Sequence, residues 1–285
     1  MKKKQKCFPF YTMGGYYRWE DVFYYQKWRI QRNYKSKQYR LLDNWDIRRE
    51  EGSFDDCYKK FLKIIDVYQL SRQHGHMIVM IPGIAQSKNI FKPLWREVMQ
   101  YNYMAAAVNY PSTYKKIDAH VRQLDFFLNH MEDVEEISFV TNGSGALVLR
   151  KLLYFDTEWK SKMKIRKVIE INPPSVGSQF WKRMGKFKWA QKLFGPMISD
   201  ITPSGVQKIP EYNKNYKVGI IRCESLPMQI LSYLPEILRK YLPFYEDYMH
   251  GNIRDVIKLK SNSMSVMCSP EVASKCLKFL KNGEF

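Results

Sequence analysis

Pairable cysteine is the first thing missing. The five cysteines, Cys7, Cys57, Cys223, Cys268 and Cys276, are odd in number and scattered, with no C-x-x-C pair. No cysteine or histidine spacing suits zinc, so a reducing compartment and no structural metal are expected. Long apolar runs are also lacking. No stretch approaches the ~18 to 20 residues that span a bilayer, and MKKKQKCFPFYTMGG has charge without the apolar core of a secretory signal. A soluble intracellular protein without a transmembrane helix is the expectation. Acid is in deficit, 28 Asp and Glu against 47 Lys and Arg, which leaves a formal charge of +19. Such a charge implies an anionic surrounding, namely RNA, anionic lipid or acidic protein neighbours, unless it is only a solvated basic surface. No cofactor motif is present. Histidine is scarce as well: the five are His74, His76, His120, His130 and His250, and none follows Asp255.

What the chain does have is apolar content, 45% of 285 residues, with 15% aromatic. That is enough for one large core, and a single domain over 1–285 is the economical reading. From Tyr16 to Asp43, aromatic and basic residues alternate in a pattern of two strands turning near Lys35-Ser36. Arg29, Arg32 and Arg40 lie among the aromatics, as a nucleic-acid surface would have them, but no RNA-binding signature accompanies them and a packed hairpin is the plainer reading. Ser53-Phe-Asp-Asp is a helix start, with Tyr58, Phe61, Leu62, Ile65 and Tyr68 as its apolar stripe.

Beyond Gly75, short apolar runs alternate with amphipathic helices. Strands are predicted at His76–Ile81, Tyr103–Tyr110, Glu136–Val140, Lys167–Asn172, Lys217–Arg222 and Asp255–Lys260. Helices are predicted at Phe91–Gln100, Tyr114–Met131, Gly145–Tyr154 and Pro270–Lys281. This alternation predicts an α/β fold, a mostly parallel sheet with helices on both faces. Residues 178–216 and 224–250 are long excursions, and together 178–250 reads as cap-like material over the carboxyl ends of the strands. Within it Trp181 to Phe194, WKRMGKFKWAQKLF, is basic and amphipathic. It suits a cap helix, a membrane surface or an RNA surface.

The chain is organised around FVTNGSGALVLR, Phe139 to Arg150, a strand end running through a Gly/Ser turn into an apolar helix. With MIPGIAQS, VNYPST at Val108 to Thr113, INPPSVGS at Ile171 to Ser178, Phe194-Gly195-Pro196 and the terminal Phe-Leu-x-x-Gly-x-Phe at Phe279 to Phe285, it resembles the lipase/esterase-like branch of the α/β-hydrolases. The resemblance runs from the hairpin at Trp28–Asp43 nearly to the end of the chain. It implies an α/β-hydrolase fold with an N-terminal antiparallel hairpin, and a site made of Ser, His, an acid and backbone N–H donors.

The family's turn usually reads Thr-His-Ser-x-Gly-Gly. Aligned on Leu147–Arg150, the resemblance puts Asn142 at the His, Gly143 at the nucleophile and Gly145-Ala146 at the small pair. The first oxyanion turn is Pro82-Gly83, with N–H donors from Ile84 and Ser144. The acid position falls at His250-Gly251 and the His position at Asn262, so all three triad positions are substituted. No His lies beyond Asp255 to complete the usual order. The one rescue is a shift by one residue, with Ser144 attacking and His250 as base, oriented by Asp247 or Glu246; against it, Ser144 is an ordinary helix-start residue.

These readings imply a non-catalytic α/β-hydrolase-like protein, a structural or accessory subunit bound to protein partners in a large assembly. Large organellar assemblies such as a mitochondrial ribosome or a respiratory or ATP-synthase complex recruit retired enzymes as extra subunits, so a mitochondrial one is expected. The Lys-, Tyr-, Asn- and Met-rich composition suits an AT-rich genome. The alternatives are a serine esterase using Ser144, and a module that binds lipid or another small ligand. Anionic lipid and RNA are further expected partners through the basic surface.

Overall fold

A computed structural model of the chain describes residues 10–12, 18–213, 215–224, 253–260 and 269–285. Five strands come first: β1 (Phe10–Tyr11), β2 (Trp19–Tyr25), β3 (Trp28–Asn33), β4 (Tyr39–Leu42) and β5 (Ile47–Gly52). They form an antiparallel sheet in the order β1-β5-β4-β3-β2. The expected two-stranded hairpin is therefore part of a larger meander. A second turn, Gln26-Lys27, joins β2 to β3 with φ of 45° and 73°. Positive φ at both central residues is the sign of a hairpin turn that usually recruits Asn or Gly, and here the residues gave no such signal.

One face of this sheet packs Phe23, Tyr25, Ile30 and Leu41 against α1 (Phe54–Tyr68). Ser53 and Asp56 close a reciprocal cap at the start of α1, as its sequence predicts. The buried stripe differs: Cys57, Phe61 and Ile64 face inward, while Leu62 and Tyr68 are exposed. The other face is polar. Buried Asp21 accepts from Arg29 Nη1 at 2.9 Å, Gln31 Nε2 at 2.7 Å and the Asn109 N–H at 2.8 Å. Arg32 Nε donates to Glu20 at 2.6 Å, and Arg40 donates to Gln31 Oε1 while lying 3.8 Å over the Trp19 ring. The three arginines interleaved with aromatics are thus held within the sheet rather than presented as a nucleic-acid surface.

The second sheet is parallel. Its elements follow in the order β6 (His76–Ile81), a 3-10 turn at Lys88–Phe91, α2 (Lys92–Met99), β7 (Met104–Ala107), α3 (Ile117–Asn129), β8 (Glu136–Asn142), α4 (Gly145–Tyr154), α5 (Trp159–Lys162) and β9 (Lys164–Ile171). Next come α6 (Gln179–Met184), α7 (Lys188–Phe194), α8 (Pro203–Val206), β10 (Lys217–Glu224), β11 (Ile253–Lys260) and α9 (Pro270–Asn282). The strand order is β11-β10-β9-β8-β6-β7, and every pair is parallel. Helices α2 and α9 bury Leu94, Val98, Val272 and Phe279 against one face, and α3 and α4 bury Leu124, Phe127, Leu147 and Leu149 against the other. Each such side chain stabilises the fold by roughly 1.5–3 kcal/mol relative to exposure. The basic stretch from Trp181 to Phe194 is two short helices, α6 and α7, broken around Gly185. The part of the expected excursions at 225–250 lies outside the described residues.

Candidate functional site

The strand order fixes where a ligand would enter. From β6 the chain moves outward to β7 at the sheet edge, then returns across to β8 on the other side of β6. Such a reversal opens a crevice at the carboxyl ends of β6 and β8. The turns at that place are Pro82-Gly83 after β6 and Asn142-Gly143-Ser144 after β8.

Gly143 bridges strand and helix with φ of 53°, in the left-handed region that a side chain enters only under strain. Among the described residues outside its own chain neighbours, a Cβ built there would meet nothing closer than Gly83 Cα at 4.0 Å. Gly145 is the opposite case. A Cβ there would sit 2.6 Å from the Ile81 carbonyl oxygen and 2.7 Å from that of Pro82, so only Gly lets the first turn of α4 close against the end of β6. A parallel sheet with helices on both faces, reversing between β6 and β8 and carrying a tight left-handed turn from β8 into the buried helix α4, decides the architecture. The fold is that of the α/β-hydrolases.

Polar groups around the turn satisfy one another. The Ile84 N–H donates to Ser144 Oγ at 2.8 Å, and Ser144 Oγ in turn points its proton at Met197 Sδ, 3.9 Å away. The Gly83 N–H donates to Gln86 Oε1 at 2.8 Å, and Asn142 Nδ2 donates to the same oxygen at 2.8 Å. The Ala85 N–H donates to Ser112 Oγ at 3.0 Å, and Tyr110 donates its hydroxyl to the Pro82 carbonyl. Burial pushes the Tyr110 hydroxyl far up, so it stays a proton donor. Of the two expected oxyanion donors, the Ile84 N–H is thus occupied by the one hydroxyl on the turn. Ser144 is buried, starts α4 in a helical conformation and makes no side-chain capping bond to the helix.

The described histidines lie elsewhere. His76 begins β6, where it bonds Ser138 Oγ at 2.8 Å; its partner Glu136 is seven residues before Gly143, roughly 23 Å along the strand. His120 is enclosed under Tyr110 with Nε2 at 3.2 Å from the Lys115 carbonyl, and His130 bonds the Phe126 carbonyl at 2.8 Å. His74 is exposed. His250, Asn262, Asp247 and Glu246, the remaining expected site positions, lie outside the described residues.

One buried acid near the turn was not singled out by the sequence. Glu170 pairs with Thr141 across β9 and β8, and burial raises its pKa against the opposing effects of the Tyr212 hydroxyl, 2.7 Å away, and Arg150. Its signal in the sequence is a charged residue in the apolar run KVIEIN. Glu170 with Tyr212 forms a packed pair on the α4 side, with no histidine among these partners. Among the described residues no group of three or more His, Cys, Asp or Glu could hold a metal ion. No described helix is long and apolar enough to cross a membrane.

No family profile and no curated sequence matches the chain. Among solved structures it is similar to polyneuridine aldehyde esterase, at 13% identity and a TM-score of 0.47 over 74% of this chain and 100% of that one. A lipase from Bacillus licheniformis matches at 11% identity and a TM-score of 0.48, over 73% of this chain and 91% of that one. A methylesterase from Arabidopsis matches at 12% identity and 0.46, over 72% and 98%. These are likenesses of architecture and leave the chemistry to the residues.

Proposed function

We propose that this α/β-hydrolase-fold protein is non-catalytic and serves as a structural or accessory subunit of a larger assembly. The observation that carries the reading is the state of the turn after β8. Gly143, at the left-handed position where the strand turns into the helix, has no side chain to attack with. Ser144, one residue on, spends its oxygen as acceptor for the Ile84 N–H, the donor that an acyl hydrolase would keep for the developing oxyanion. For Ser144 to attack, that bond must break, and a base must take a proton that now points at a thioether. In this reading Gly143, His250 and Asn262 are the substituted triad positions.

The accessory role rests on the charge of +19 on a packed scaffold, which favours binding to anionic neighbours. Its placement in a mitochondrial assembly extends this reading to the large organellar complexes that take up retired enzymes as extra subunits. Size fractionation of a native extract, with one aliquot treated with RNase, tests the role. Co-migration with a megadalton particle supports it, and RNase sensitivity selects a ribosome over a respiratory or ATP-synthase complex. Migration as a free monomer contradicts it and returns attention to the serine-esterase and ligand-binding alternatives.

A further inference from the structure

Between Glu170 and Asp200 the chain contains no acidic residue, but it contains Lys182, Arg183, Lys186, Lys188 and Lys192. The same segment holds a cluster of exposed large apolar side chains. Phe187 is 53% exposed, Trp189 58% and Leu193 59%, and the Phe187 and Trp189 ring centroids are 6.4 Å apart. Trp189 and Leu193 are four residues apart on α7 and share a face, and Lys188 and Lys192 form the adjacent row. The helix is held from its other side: Ala190 is fully buried, and Phe194 packs edge-on against Trp181 at 4.9 Å. The apolar ridge is therefore presented outward by an anchored helix, whereas isolated surface apolar residues are ordinary and scattered.

Beside the ridge lies an open cavity of about 900 Å³. Lys182 and Lys186 line it from the ridge side, and Lys116, Lys151 and Lys208 line it from beyond. Its two acids are engaged, Asp118 by Lys151 and Asp200 by the Ile117 N–H at 2.9 Å. The cavity thus presents an excess of ammonium groups next to a wedge of Phe, Trp and Leu.

We propose that this face docks on an anionic lipid surface, with Phe187, Trp189 and Leu193 entering the headgroup boundary and the lysine-lined cavity taking an anionic headgroup. Aromatic and aliphatic side chains together suit that boundary, and lysines on long stems keep their charge at its level. Bases of RNA would stack on Phe187 and Trp189 but give Leu193 no partner. The proposal stands whether or not the turn after β8 is catalytic.

The test is sedimentation of the full-length protein with phosphatidylcholine vesicles, with and without phosphatidylserine, at low and high salt. Binding is expected only with phosphatidylserine, and it is expected to fall with salt. Lys186→Gln and Lys192→Gln should each weaken it about fivefold, and Trp189→Ala with Leu193→Ala should weaken it roughly tenfold or more. Circular dichroism should show both sets of variants folded, since all four side chains are exposed. Absence of binding, equal binding to neutral vesicles, or indifference to the ridge substitutions would overturn the proposal. So would displacement from the vesicles by a single-stranded RNA that binds the ridge variant equally well.

Discussion

Replacing Gly145 by Ala should destabilise the protein by about 2 kcal/mol, although it substitutes the best helix former for the poorest ordinary one. The new Cβ would stand 2.6 Å from the Ile81 oxygen and 2.7 Å from the Pro82 oxygen, where ordinary contacts begin at 3.4 Å. Both obstacles are backbone, so no side chain can rotate aside, and α4 and the end of β6 must separate by most of an ångström. Overpacking of this kind costs about 1–3 kcal/mol, and a backbone obstacle belongs at the upper end. The propensity gain of Ala over Gly offsets at most about 1 kcal/mol. Gly143→Ala is the internal control: among the described residues its Cβ meets nothing closer than 4.0 Å, and the left-handed backbone costs about 1–2 kcal/mol. Urea unfolding followed by far-ultraviolet circular dichroism measures both. A Gly145→Ala protein as stable as the parent would refute the close approach of α4 to β6.

Two further outcomes follow from buried polar groups. Asp21→Ala leaves the buried Arg29 guanidinium without its closest carboxylate and should cost about 3–5 kcal/mol in the same assay, while Asp66→Ala on exposed α1 surface should change little. Burial, with help from Lys115, pushes the His120 pKa down to about 3, so the folded state keeps this ring neutral. The unfolded chain takes up a proton below its ordinary value of 6.5. This contribution to stability is therefore full above that pH and lost progressively as pH falls toward 3. His76, also depressed by burial, adds in the same direction. His120→Gln should flatten the loss of unfolding free energy between about pH 7 and about pH 4 by about 3 kcal/mol, since one pKa unit is about 1.4 kcal/mol. An unchanged pH profile would show that His120 is solvated.

The parallel sheet was legible because its strands are short, nearly all-apolar runs such as HMIVMI, bounded by Gly and Pro, and α4 because it follows a Gly turn without interruption. The N-terminal sheet was only half legible. Its first turn uses Gln26 and Lys27 at positive φ, residues without a turn signature, so one long apparent strand is two. The partners of Arg29 and Arg32 sit in the strand before, and only the register Glu20↔Arg32 and Asp21↔Gln31 brings them together. The inward stripe of α1 was misjudged at Leu62 and Tyr68 because a helix with apolar residues on several sides does not reveal which side meets the sheet. At the turn, the sequence named Gly143, Ser144 and Ile84, but not that the last two bond each other. That contact joins residues 60 apart and depends on how closely α4 approaches β6.

Labelling of the purified full-length protein with a serine-reactive fluorophosphonate, alongside Ser144→Ala, tests the central claim most directly. A hydroxyl tied to the Ile84 N–H and facing Met197 should give no labelling above the variant. Stoichiometric labelling of the parent protein that disappears in Ser144→Ala would contradict the account and make Ser144 a nucleophile.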